Sequence, residues 1–145
     1  MKKEKVLIMG ACGQIGVELT LALRKLYGAD NVIASDIREA QHPLLEGTGP
    51  YYTLNAMDAT ATLALIKKEN ITQVYLLAAL LSATGEKDPK RAWDINMQSL
   101  LQVLDIAVQE KLTKVYWPSS IAVFGTTTPK QDTPQKTIIE PRTVY

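Results

Sequence analysis

The chain has 145 residues, 46% of them hydrophobic, and its sixteen basic and fifteen acidic residues leave a formal charge of +1. That apolar content suffices for one globular core, and interspersed charges of both signs offer no basic face to a nucleic acid. Cys12 and His42 are the only residues of their kinds, which removes disulfide pairing and any zinc site built from cysteine or histidine. After the charged opening "MKKEK", the apolar run stops at Gly10, too short for a signal core or a membrane span, so a cytoplasmic protein is expected.

In chain order, the apolar runs "KVLIM", "NVIAS", "YYTL", "QVYLLAAL" and "KVYWPSS" alternate with longer stretches of helical spacing. The first helix follows "GACGQIG", puts Leu19, Leu23 and Leu26 on one stripe beside Ala22, and stops at Gly28. A second helix is expected from Ala59 to Glu69, with Asp58 as its N-cap. The third starts near Pro89 and carries Ala92, Ile95, Leu100, Leu104 and Val108 as far as Glu110. Strands apolar on both faces and joined by helices predict an α/β fold, a Rossmann-like doubly wound parallel sheet. Such sheets carry at least one further strand, so the sheet is expected to be incomplete at the C-terminus. Residues 1–145 then read as the N-terminal part of a longer chain, with apolar surface exposed where more chain or a partner would cover it.

The glycines of "GACGQIG" are spaced G-x-x-G-x-x-G at the junction of the first strand and first helix. A helix N-terminus presents unpaired N–H groups and partial positive charge, which suits a pyrophosphate. Gly10 permits the tight turn, Gly13 lets the ligand approach the backbone, and Gly16 lets helix and strand pack closely. Gln14 and Ile15, between them, join the cofactor set. The second strand ends in "SDI", where Asp36 lies twenty residues beyond Gly16 and can accept from the ribose hydroxyls of NAD while repelling the 2′-phosphate of NADP. Ile37 follows at the same rim, and Arg38 reads as an exposed loop arginine. Cys12 reads as small-residue filling, Trp93 and Trp117 as packing against helix and sheet, and His42 receives no role.

The glycine spacing together with "TLNAMD", "LLAALLS" and "KVYWPSSIAVFG…PRTVY" resembles the extended short-chain dehydrogenase/reductase family, the NAD-dependent epimerases and dehydratases. The resemblance implies that Asn55 and Ala56 meet the adenine, that Leu77, Ala78 and Ala79 line the cofactor, and that Asn96 sits on a helix behind the site. Asn55 stands where the family carries an acidic residue. It further implies Ser120 as the hydroxyl that orients the substrate oxygen and Tyr145, twenty-five residues on, as acid/base. A free tyrosine with a pKa of about 10 is a poor base at neutral pH, and the family supplies a lysine four residues later to help it. This sequence stops at Tyr145, so the expectation is a longer enzyme whose first 145 residues are inactive alone.

Within the family, "NVIASDIR", "LLAALLSATGEKDP", "AWDINM" and "VYWPSSIAVFGTTTP" are similar to the branch that oxidises L-threonine with NAD. That resemblance implies a homodimer in which Ser82 and Ser119 help to hold the amino acid. It also implies that "ATGEKDP" covers the site during hydride transfer. A sugar-nucleotide epimerase or dehydratase, a non-catalytic NAD-binding protein and a ligand-free structural module remain as alternatives.

Overall fold

Val6–Met9 forms β1, a strand with no side chain more than 1% exposed, because apolar residues face both layers of the molecule. The structure is a computed structural model that describes residues 4–39 and 42–145. Around β1 stand β2 (Val32–Asp36), β3 (Tyr51–Thr53), β4 (Gln73–Leu76) and β5 (Lys114–Tyr116). All neighbouring pairs are parallel and the order is β3-β2-β1-β4-β5. This is the Rossmann-like α/β sheet expected from the alternation of runs.

Alternate residues of β1 feed different cores. Val6 and Ile8 pack with Val17 and Leu23 of α1 (Gln14–Tyr27). Leu7 and Met9 pack with Leu65 and Ile66 of α2 (Ala59–Glu69) and with Val103 and Ile106 of α5 (Ser99–Gln109). Asp58 caps α2 as expected, its side chain accepting from the Ala61 amide at 2.9 Å. Gly28 ends α1 with φ +92° and donates its N–H to Arg24 O.

The apolar stripe expected on α1 is rotated. Its buried residues are Gly16, Val17, Thr20, Leu23 and Arg24, while Leu26 is 71% exposed. The helix is pinned at Gly16, where a Cβ would overlap Gly10 O and stand 2.8 Å from Ala11, and this contact fixes which face meets the sheet. Arg24 is then turned inward, where Val32 O, Thr48 Oγ1 and Pro50 O accept from its guanidinium. Burial pushes that guanidinium below its ordinary pKa.

The third helix is also less regular than the spacing predicts. After α3 (Ser82–Gly85), α4 (Pro89–Trp93) runs into a π turn over Asp94–Gln98 before α5 begins. The apolar period continues through the turn, which is why the sequence reads as one helix. Large apolar side chains are exposed on α5 (Leu101, Leu104, Val108) and beyond β5 (Trp117, Ile121, Phe124).

Candidate active site

The parallel register puts Met9 level with both Ser35 and Leu76, so β1, β2 and β4 finish together. Their exits carry the glycine loop, Asp36 and Leu77 to one edge, at the point where the strand order reverses. The loop is fastened there: the amides of Gly10 and Ala11 both donate to Ser35 O at 2.9 Å, and the Leu77 amide donates to Met9 O at 2.8 Å.

The three glycines serve different needs. Gly10 has φ +92°, and a Cβ on it would stand 2.6 Å from Ala78 N, so the loop could not pass β4 with a side chain. Gly16 is required by the contact with Gly10 and Ala11 described above. Gly13 is different: its φ of −77° is ordinary, and a Cβ would meet only Gly10 O, at 3.5 Å. The fold therefore leaves space outside Gly13, beside the N-terminus of a fourteen-residue helix that has no capping side chain. A phosphate group suits that space and supplies the missing acceptor.

Asp36 is 8% exposed. Its Oδ2 accepts from the Cys12 amide at 3.0 Å and its Oδ1 from the Arg38 amide at 3.2 Å. Each carboxylate oxygen has further lone-pair capacity for a ribose hydroxyl. Arg38 is an exposed loop arginine as expected, and its guanidinium donates to Cys12 O at 3.0 Å and lines the cleft. The Tyr51 hydroxyl donates to Arg38 O at 2.6 Å, and burial with the neighbouring Cys12 thiol pushes that phenol's pKa up. Cys12 is buried.

A cleft of about 560 Å³ extends from this loop across the ends of β4 and β5. It is lined by Gly10, Gly13, Gln14, Ile15 and Gly16 on one side and by Leu77, Ala78, Ala79 and Asn96 along its floor. Ser119, Ser120 and Tyr145 line its other side. Ile37, Asn55 and Ala56 lie outside that lining, as does Asp36. Asn55 is exposed and its Oδ1 accepts from the Met57 amide at 3.0 Å, so it builds the turn into α2. Ser82 opens α3; its side chain lies outside the described residues.

Asn96 owes its position to the π turn. Its Oδ1 accepts from Leu80 N at 2.8 Å and its Nδ2 donates to Leu80 O at 3.1 Å, so one amide pairs with both polar groups of one backbone residue. The bridge holds the segment after β4 as the cleft floor. Ser120 caps a short 3-10 turn over Ile121–Val123, its Oγ accepting from the Ala122 amide at 3.0 Å, which leaves the hydroxyl proton to donate. Tyr145 is 38% exposed. Trp93 and Trp117, expected to be packed away, are 53% and 43% exposed and line the same cleft. Neither helix stripe nor strand alternation distinguishes a tryptophan in a core from one at a cleft wall.

The geometry corresponds to a known family, whose pattern residues 6–145 match: the NAD dependent epimerase/dehydratase family. The chain belongs to this family. NAD is its cofactor, and the space beside Gly13 with the buried Asp36 carboxylate fits that group. The chain is 45% identical over 142 residues to an uncharacterized epimerase/dehydratase of Staphylococcus haemolyticus, covering 98% of this chain and 44% of that protein. The holo form of a GalE-like L-threonine dehydrogenase from Cupriavidus necator superposes with a TM-score of 0.92 at 54% identity, over 97% of this chain and 45% of that one. L-threonine dehydrogenase from Clostridium difficile gives 0.89 at 41% identity, over 99% and 45% of the two chains. The chain thus spans less than half the length of these relatives. Among the described residues no group of histidine, cysteine and carboxylates could hold a metal ion, and no helix is long and apolar enough to cross a membrane.

Proposed function

We propose that this chain provides the cofactor site and the acid/base pair of an NAD-dependent dehydrogenase that oxidises L-threonine to 2-amino-3-oxobutyrate. The observation that carries the reading is that Gly13, Ala78, Ser120 and Tyr145 line one cleft. Gly10, Gly13, Gln14, Ile15 and Gly16 hold the pyrophosphate, Asp36 the adenosine ribose, and Ile37, Asn55 and Ala56 the outer rim of the adenine. Leu77, Ala78, Ala79 and Asn96 carry the nicotinamide side.

NAD held by these residues would supply the hydride acceptor for the carbon that bears the substrate hydroxyl. Ser120 donates its free proton to the substrate oxygen and so fixes the direction of that hydroxyl, while Tyr145, as the phenolate, receives the hydroxyl proton and becomes the neutral phenol. Ser119 contacts a polar end of the amino acid. The apolar rim formed by Leu81 and Trp93 keeps water from the reacting carbon. The similarity to two L-threonine dehydrogenases over nearly all of this chain supports the substrate, and the exposed α5 stripe of Leu101, Leu104 and Val108 supports a homodimer.

The family description supports a second reading, a sugar-nucleotide epimerase or dehydratase using the same cofactor and tyrosine. One pair of assays on the complete protein separates the two: NADH absorbance with L-threonine and NAD, and conversion of a UDP-hexose followed by chromatography. We expect NADH from threonine and no sugar conversion. Sugar conversion without threonine oxidation would replace the first reading with the second.

A further inference from the structure

One side chain that does not itself line the cleft ties the segment after β4 to the residue before Tyr145. Glu86 Oε1 accepts a hydrogen bond from the backbone N–H of Val144 at 2.9 Å, across fifty-eight residues of sequence. Leu81, Trp93, Val144 and Tyr145 all line that cleft.

The segment that carries Glu86 is held firmly from behind. The amides of Thr84 and Gly85 donate to Leu81 O at 3.0 and 2.8 Å, and the Asp88 amide donates to Gly85 O at 3.1 Å. Asp88 in turn caps α4 through the Arg91 amide at 3.1 Å. Gly85 packs so closely that a Cβ would lie 3.1 Å from the Ala92 methyl, which is 1% exposed, and 3.7 Å from Val144 Cγ1. Glu86 is thus presented from a base anchored on α4. Residues 141–145, by contrast, form neither helix nor strand, so the Glu86 carboxylate is an anchor that their local backbone does not supply.

We infer that Glu86 is a positioning residue for Tyr145: its carboxylate fixes the 143–144 peptide and so the direction in which the tyrosine ring enters the cleft. The inference rests on the reading of Tyr145 as acid/base. Proton transfer from a bound hydroxyl demands placement within a fraction of an ångström, and a phenol one residue beyond an unanchored peptide does not keep it. The same bond joins the α3–α4 segment to the chain that carries Tyr145, so that segment and the group that takes the proton are set together. An ionised carboxylate is the stronger acceptor for this purpose, but the hydrogen bond needs only its oxygen.

The test compares Glu86→Ala and Glu86→Gln in the complete protein. Alanine removes the acceptor; glutamine keeps an oxygen at the same reach. With Glu86→Ala we expect kcat for L-threonine to fall about tenfold while the Kd for NAD is unchanged, and the Val144 amide to exchange with solvent several times faster by NMR. Glu86→Gln should restore both to within about twofold of the parent, since amide and carboxylate both offer the acceptor. Equal Val144 exchange in the parent and Glu86→Ala would overturn the proposal, as would glutamine behaving like alanine. A parent that does not oxidise threonine removes the substrate reading instead, and the exchange comparison then decides on Glu86 by itself.

Discussion

Asp36 and Cys12 are joined by a hydrogen bond of 3.0 Å from the Cys12 amide to the Asp36 carboxylate, which ties the end of β2 to the middle of the glycine loop. One buried carboxylate therefore shapes the glycine loop, and in the proposed reading it also meets the ribose. We expect the parent to bind NAD more tightly than NADP, because a 2′-phosphate would meet this charge. Asp36→Ala should weaken NAD by about 10- to 100-fold, the range for losing a hydrogen bond to a charged group. Calorimetric titration with both nucleotides measures this; NADP binding as tight as NAD in the parent would remove the role given to Asp36.

Gly13 and Gly16 should respond oppositely to the same change. A side chain at Gly13 enters open space, so Gly13→Val should fold normally and lose most NAD affinity. At Gly16 the new atoms overlap Gly10 O and Ala11, backbone that cannot give way, and Gly16→Val should lose about 3 kcal/mol of stability. Urea unfolding and NAD titration on both variants separate the effects. A folded Gly13→Val with parental affinity would place the pyrophosphate elsewhere.

Arg24 is 5% exposed, and its three acceptors are neutral oxygens of β2 and the loop before β3. Arg24→Met retains the apolar stem and strands those acceptors, so we expect a loss of about 2 to 4 kcal/mol in urea unfolding. Arg24→Lys should lie between the two, since one ammonium cannot serve a planar fork of acceptors. An unchanged midpoint for Arg24→Met would show that the loop is held by other contacts.

The parts that the sequence made legible are those decided locally. Asp58 caps α2 and Gly28 ends α1 because each position needs one residue's chemistry and little else. The place of Asp36 at the end of β2 was legible for a similar reason, since the strand's apolar run stops there. Leu26 misled because helical period gives a stripe without saying which way it faces; the Gly16 contact sets that rotation, and it is a tertiary fact. Arg38 is exposed as expected, but nothing nearby in sequence foretells its bond to Cys12 O. Glu86 was hidden still further, its partner being fifty-eight residues away.

Tyr145 is the residue on which the proposed chemistry depends, and replacing it by phenylalanine removes only the hydroxyl. The decisive measurement is threonine-dependent NADH formation by Tyr145→Phe in the complete protein, with NAD binding titrated on the same sample. We expect turnover to fall by about 10²- to 10⁴-fold, the usual contribution of a general base, with NAD affinity within about twofold of the parent. Turnover at the parental rate in a Tyr145→Phe protein that binds NAD would contradict the assignment of Tyr145 as the acid/base.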